Sequence, residues 1–231
     1  MGKSKELAEL GDVVTQSGGN VGIGTSSPVA KLQIRTQTDA NAAFQNSTSV
    51  SGGVKINAFT DAANASVPFE LDGSSLQFNT AAVERMRIDV SGRVTMPYQP
   101  MFQAWANTGG NEYYAGGTNP SFNVVSPNVG NHFNGTTFTA PVAGKYLFTY
   151  SILAGSSGSY GLIALNVNGS PAVGSQNWTQ FYVSTTNGGV NSSQQILSLS
   201  ANDQVNLYIH PTYNRFYWQG YYSKFSGHLI G

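Results

Sequence analysis

Charge and aromaticity are segregated along this chain, and that segregation limits what it can fold into. Residues 1–100 hold 17 of the 22 charged side chains and five of the 27 aromatic ones. Residues 101–231 hold 22 aromatic rings and only five charges: Glu112, Lys145, Asp203, Arg215 and Lys224. A shift this sharp marks a boundary near Met96-Pro97-Tyr98. Only the second part is rich enough in large apolar groups to build a core of its own.

The rest of the composition narrows the class. Charged residues make up 10% of the chain against about 25% in an average globular protein, and 27 Gly help to fill the gap. Polar uncharged residues mixed with aromatics and turn formers point to an all-β protein of short strands. A net charge of zero argues against a nucleic-acid partner, which needs a basic face. No apolar run reaches the roughly 18 residues of a membrane span, so membrane insertion is not expected. Zero Cys excludes disulfides and thiolate-held metals, and no cofactor motif is present.

The first hundred residues read as three segments of weak structure. Lys3–Val14 is a helical candidate, with Leu7, Leu10 and Val14 on one seam, so residues 1–17 are expected to form a short helical attachment segment. Three apolar positions do not hold an isolated helix; it needs a partner or it frays. Beyond it, Val21 and Ile23 alternate with Gly, and Leu32 and Ile34 alternate with polar residues, giving short strands around Ser26-Ser27-Pro28. Met86, Ile88 and Val90, then Val94 and Met96, form a hairpin pattern about Ser91-Gly92. Such thin strands bury too little to offset an ordering entropy of about 1–2 kcal/mol per residue. Residues 18–97 are therefore expected to form an extended β-rich stalk that intertwines with copies of itself; a flexible linker is the alternative.

Gly19-Asn20-Val21-Gly22-Ile23-Gly24-Thr25-Ser26-Ser27-Pro28, followed by Lys31-Leu32 and Ile34, resembles a segment of bacteriophage tail-fibre and tailspike stalks. Glu84-Arg85-Met86-Arg87-Ile88-Asp89, followed by Ser91-Gly92, resembles its usual companion. The resemblance implies a virion tail fibre whose N-terminus is held by a tail or baseplate protein. In that family the pair often precedes a self-cleaving chaperone domain. Nothing after residue 100 resembles one, and no autoproteolysis is carried over.

Residues 98–231 read as a compact β domain. Lys145–Leu153 is the clearest strand, with Tyr146, Phe148, Tyr150 and Ile152 on one face and Leu147, Thr149, Ser151 and Leu153 on the other. Both faces carry apolar groups, so the strand is expected between a core and a partner. Other strand candidates are 101–105, 122–125, 132–139, 161–167, 179–185, 194–199, 204–210 and 222–230, separated by Pro- and Asn-Gly-type turns. Eight to ten short strands suggest a β-sandwich, with a jelly roll as one form.

Phe138-Thr139-Ala140-Pro141-Val142-Ala143-Gly144-Lys145-Tyr146, with the closing Phe225-Ser226-Gly227-His228-Leu229, resembles the globular head of the complement first-component recognition subunit, a relative of tumour necrosis factor. The resemblance implies a ten-stranded jelly roll that forms homotrimers, with both chain ends at the base of the head. It also implies that the connections 154–160, 185–193 and 211–221 lie at the apex. Some members bind calcium, but Asp203 is the only Asp after residue 100, so no calcium site is expected within one protomer.

Five aromatics crowd Pro211–Tyr221 beside Asn214 and Arg215. Rigid half-polar rings with amide and guanidinium donors suit the alternating C–H faces and hydroxyls of sugars. Tyr160, Tyr213, Asn214, Arg215, Tyr217 and Tyr221 are the candidate receptor-binding residues. The competing reading packs such rings about a threefold axis; Tyr146, Phe148, Tyr150, Phe216 and Trp218 are the candidate trimer-core residues. Catalysis is not expected. A glycosidase needs two convergent carboxylates, and the head offers only Glu112 and Asp203. His132, His210 and His228 share no ligand spacing, so no metal is expected. The sequence thus points to a non-enzymatic homotrimeric phage fibre that attaches to a bacterial surface polysaccharide. A polysaccharide-degrading tailspike and a purely structural fibre or collar component remain as alternatives.

Overall fold

The computed structural model describes residues 13–107, 112–114, 116–154, 160–175, 178–182, 189–211, 216–218 and 222–231. The protein is all-β and divides into two compact units, Met1–Leu76 and Gln77–Gly231. Most of the expected N-terminal helix lies outside the described residues. Val14, its last seam position, instead opens a strand.

The first unit is one five-stranded sheet. Strands β1 (Val14–Ser17), β2 (Asn20–Ile23), β3 (Leu32–Gln37), β4 (Ala40–Asn46) and β5 (Val54–Phe59) lie in sequence order. Only β2 and β3 are parallel, which requires the crossover through Pro28 and the buried Ala30. Period-two alternation sorts the sheet into two unlike faces. One buries Ala43 and Phe59 together with two amides, Gln33 and Asn41. Gln33 Nε2 donates to Asn41 Oδ1 at 2.7 Å, and Asn41 Nδ2 donates to the Phe59 carbonyl at 3.2 Å and to Asp61 Oδ1 at 2.9 Å. The Asn41 amide, with Arg35 adding its charge, holds the Asp61 carboxyl below the usual carboxylate range. The other face carries Val14, Ile23, Ile34, Ala42 and Ala58 in one cross-strand row and Val21, Leu32, Phe44 and Ile56 in the next.

The second unit begins with a three-stranded sheet of β6 (Leu76–Thr80), β7 (Val83–Ile88) and β8 (Val94–Thr95). Its β7–β8 hairpin turns at Gly92, where φ is 78°, a conformation that glycine adopts without strain. The Asp89 carboxylate accepts from the Arg93 amide, from Arg93 Nε and from the Ser91 amide, and these bonds, the Arg93 amide first, lower its pKa. Arg85 lies over the Tyr98 ring, 4.6 Å from its centroid.

The remainder is a jelly-roll-like sandwich. Its strands are β9 (Met101–Trp105), β10 (Glu112–Tyr114), β11 (Val124–Val129), β12 (Thr137–Thr139), β13 (Gly144–Ala154), β14 (Tyr160–Val167), β15 (Ser170–Ser175), β16 (Thr179–Tyr182), β17 (Gly189–Leu199), β18 (Gln204–Ile209), β19 (Phe216–Trp218) and β20 (Lys224–Leu229). One sheet has the order β11-β9-β20-β13-β17 and the other β12-β18-β14-β15, with β16 also on β14. Between them lies a core that includes Phe102, Phe122, Phe133, Phe138, Tyr146, Phe148, Ile152, Ile163, Leu165, Leu207 and Phe225. Its rings interlock: Phe102 stacks on Phe133 at 4.2 Å and meets Phe225 edge-on at 5.0 Å.

This core corrects one expectation. Tyr146, Phe148 and Tyr150, assigned above to a trimer axis, have 0%, 0% and 2% of their surfaces exposed within a single chain. They face the opposite sheet. Tyr146 Oη donates to the Val142 carbonyl at 2.9 Å, and burial raises its phenol pKa. The face of β13 left open is the other one, with Leu147, Thr149 and Ser151.

Candidate functional site

The registers set the two ends of the sandwich. Ala154 pairs with Gly189, Ser151 with Lys224 and Ile163 with Ile209. The strand ends that flank connections 155–159, 183–188 and 212–221 therefore meet at one end, the apex. At the other end three turns are tied together. Asn168 Nδ2 donates to Asp203 Oδ1 at 2.8 Å, the Ser200 amide donates to Asp203 Oδ2 at 2.8 Å, and the Ala140 amide donates to the Asp203 carbonyl at 2.9 Å. The two bonds to the carboxylate, the Asn168 amide first and then Ser200, lower the Asp203 pKa. Asp203 is a turn clamp, and its carboxylate oxygens are engaged in holding the base.

At the apex, β10 pairs with β19 in a separate two-stranded ribbon. Glu112, Tyr113 and Tyr114 stand opposite Trp218, Tyr217 and Phe216. Five of these six positions are aromatic. The ribbon thus contains Tyr217 of the candidate binding set and Phe216 and Trp218 of the candidate trimer core. Tyr160 opens β14, paired with Tyr182. Tyr213, Asn214, Arg215 and Tyr221 lie outside the described residues. The sequence reading missed the partner strand: Glu112-Tyr113-Tyr114 is too short for an alternation pattern, and only its paired tyrosines hinted at a role.

Gly116 backs onto the chain as it leaves β18. A Cβ added there would collide with the Pro211 carbonyl and come within 2.7 Å of the His210 carbonyl. Gly117 donates its amide to the Ile209 carbonyl at 2.9 Å, and the Ile209 amide donates to the Thr118 carbonyl at 3.0 Å. The segment that follows β10 is thereby fixed to the end of β18. Nearby, Trp178 meets His210 edge-on at 4.7 Å and Tyr208 at 6.1 Å. Behind them Tyr150 Oη and Thr179 Oγ1 are 2.6 Å apart, and Thr179 Oγ1 donates to Ser193 Oγ at 3.1 Å.

A second feature is the outward face of the β11-β9-β20-β13-β17 sheet. Its registers stack three cross-strand rows. Nearest the base is Val129–Met101–His228–Leu147–Ile196, in which Ile196 is 60% exposed. The middle row is Gln103–Ser226–Thr149–Gln194. The apical row is Val124–Trp105–Lys224–Ser151–Ser192. An open groove of about 410 Å³ crosses the two polar rows. Thr149 Oγ1 and Ser226 Oγ are 2.5 Å apart in its floor, and among the described residues Lys224 is the one cation lining it. Among the described residues, no three His, Asp or Glu side chains gather as metal ligands.

Residues 105–230 match the C1q domain family model. Among solved structures, the globular domain of zebrafish complement 1qA protein is 19% identical, with 58% of this chain and 98% of that chain covered and a TM-score of 0.44. The Eiger TNF of S. frugiperda is 14% identical, with 58% and 93% covered and a TM-score of 0.43. No curated protein sequence matches. The family match spans more than half of the residues, from the end of β9 through the whole of β20: this chain belongs to the C1q domain family.

Proposed function

We propose that this protein is a homotrimeric bacteriophage tail fibre that attaches the virion to a bacterial surface polysaccharide through the apex of its C1q-type head. The observation that carries the reading is the apical ribbon, where backbone pairing brings five aromatic residues together; Tyr213, Asn214, Arg215 and Tyr221 flank its β19 strand in the sequence. Ring faces beside amide and guanidinium donors are the chemistry sugars require. The N-terminal segment is the attachment point for a tail or baseplate protein, by the stalk resemblance.

Self-association of the head uses the open face of the β11-β9-β20-β13-β17 sheet. Its basal row offers Met101, Leu147 and Ile196 without a cover, which supports this choice over the buried Tyr146 face. Three heads then carry three equivalent tips, and avidity compensates for weak single-site sugar binding. The protein acts as a binder: the Asp203 carboxylate is committed to its turn, which supports a role other than acid–base catalysis.

The test is adsorption of fluorescently labelled protein to host cells, with the trimer verified by native mass. Saturable adsorption lost in the Tyr213→Ala, Arg215→Ala double variant, with the trimer intact, supports the apical site. Adsorption retained by that variant moves the site elsewhere on the head. No adsorption by the parent protein makes it a structural component, and shortening of the polysaccharide makes it a depolymerase.

A further inference from the structure

The first unit is built inside out. Its buried face is closed over two amides, and its buried apolar side chains are Pro28, Ala30, Ala43 and Phe59 alone among those described. The larger apolar surface is on the opposite side. The rows Val14–Ile23–Ile34–Ala42–Ala58 and Val21–Leu32–Phe44–Ile56 form a continuous aliphatic and aromatic face, bordered by the uncharged Gln16 beside Val21 and by Asn46 opposite Val54. Phe44 is 47% exposed, Ile56 55% and Val54 78%. The charged strand residues, Arg35 and Lys55, are on the other side by alternation.

We infer that this face is an interface between copies of the chain, packed against the same face of the neighbouring protomers. The inference rests on the trimeric reading given above and goes beyond it by naming the surface. Three arguments select a second copy as the occupant. A face with no charge among its described strand positions is self-complementary, because two copies meet without burying an unpaired ion. A sheet with so few buried apolar residues does not offset its own ordering entropy, so the cover must be present whenever the unit is folded; a copy of the same chain always is. Size is the third. Five strands about 4.8 Å apart and roughly five residues long at about 3.4 Å each give a footprint of about 300–350 Å². A free-standing interface needs about 800 Å² per partner. The face is too small to hold separate proteins together and large enough to close once the copies are tethered through their heads, where the second encounter is intramolecular.

The chain has no Cys, so single cysteines report this packing directly. In the 231-residue chain, Ile56→Cys and Lys55→Cys place a thiol on the inferred interface and on the opposite face of the same strand. Under mild oxidation, Ile56→Cys is expected to yield covalent dimer in about tenfold excess over Lys55→Cys, because both thiols share the same tether and only those on the packed face are held together. A second variant, Phe44→Glu, is expected to abolish hydrogen-exchange protection in residues 32–59 and leave the head protected. A native mass of a trimer with equal or no crosslinking at the two positions, and Phe44→Glu without effect, overturns the inference and leaves the trimeric reading standing. A monomeric native mass overturns both.

Discussion

Gly227 stands directly across from Phe148 in the β13–β20 pair, and the space a methyl group would occupy at Gly227 is already filled by the Phe148 ring. A Cβ built there comes within 2.6 Å of Phe148 Cε1 and 2.7 Å of Phe102 Cε1. The central strand of the sheet is glycine at this point so that two rings can close over it. Overpacking a filled core costs about 1–3 kcal/mol, so Gly227→Ala is expected to lower the unfolding free energy of the head by that amount, read as a lower urea midpoint with the slope unchanged.

Asp203 links stability to pH. Its pKa is depressed in the folded state, so its contribution is present above the unfolded carboxyl pKa of about 3.9 and is lost as pH falls through the lower folded value. Asp203→Asn is expected to destabilise the head at pH 7 and to remove part of the acid-induced fall in Tm below pH 4. A thermal melt series from pH 7 to pH 2.5 on both proteins checks this; identical curves would show that the clamp contributes nothing.

The buried amide pair of the first unit gives a third prediction. Asn41→Ala removes the acceptor of Gln33 Nε2, whose side chain is enclosed, and leaves the Phe59 carbonyl without that donor. An unpaired buried polar group costs about 1–3 kcal/mol, so amide protection in β3–β5 should fall roughly five- to a hundred-fold. Exchange in the head should be unchanged.

Tyr150→Phe tests the chain of hydroxyls beneath the apex. It keeps the ring and removes the contact to Thr179, so the expected cost is about 0.5–1.5 kcal/mol in chemical denaturation. Tyr150→Ala, which also empties the core position, should cost about 3–5 kcal/mol.

Much of the head could be read from alternation. Met101–Trp105 is a strand at the expected bounds, and Lys145–Leu153 falls within Gly144–Ala154. The error over Tyr146, Phe148 and Tyr150 has a physical source. When both faces of a strand carry apolar groups, sequence alone does not say which faces the chain's own core. In the first part Val21, Ile23, Leu32 and Ile34 announced their strands, whereas Ala40–Asn46 did not, since Ala-Asn-Ala-Ala carries almost no hydrophobic contrast. Gln33 and Asn41 looked like surface residues, because an amide is recognisable as buried only once its partner is known. The apical ribbon was half legible: the crowd of rings in 211–221 stood out, but three-residue strands joined across a hundred positions leave no local pattern.

The order of strands in the larger sheet has a consequence for how the protein is made. β20, the middle strand, is the last of the domain to be synthesised, and it alone joins β9, the first, to β13. Until β20 leaves the ribosome, β9 and β13 each present an unpaired edge, and pairings so distant in sequence form slowly. A nascent chain in this state, beside other chains on the same message, is exposed to mispairing with its neighbours. Translation pace and chaperone supply, more than final stability, should govern how much correctly assembled protein a cell obtains.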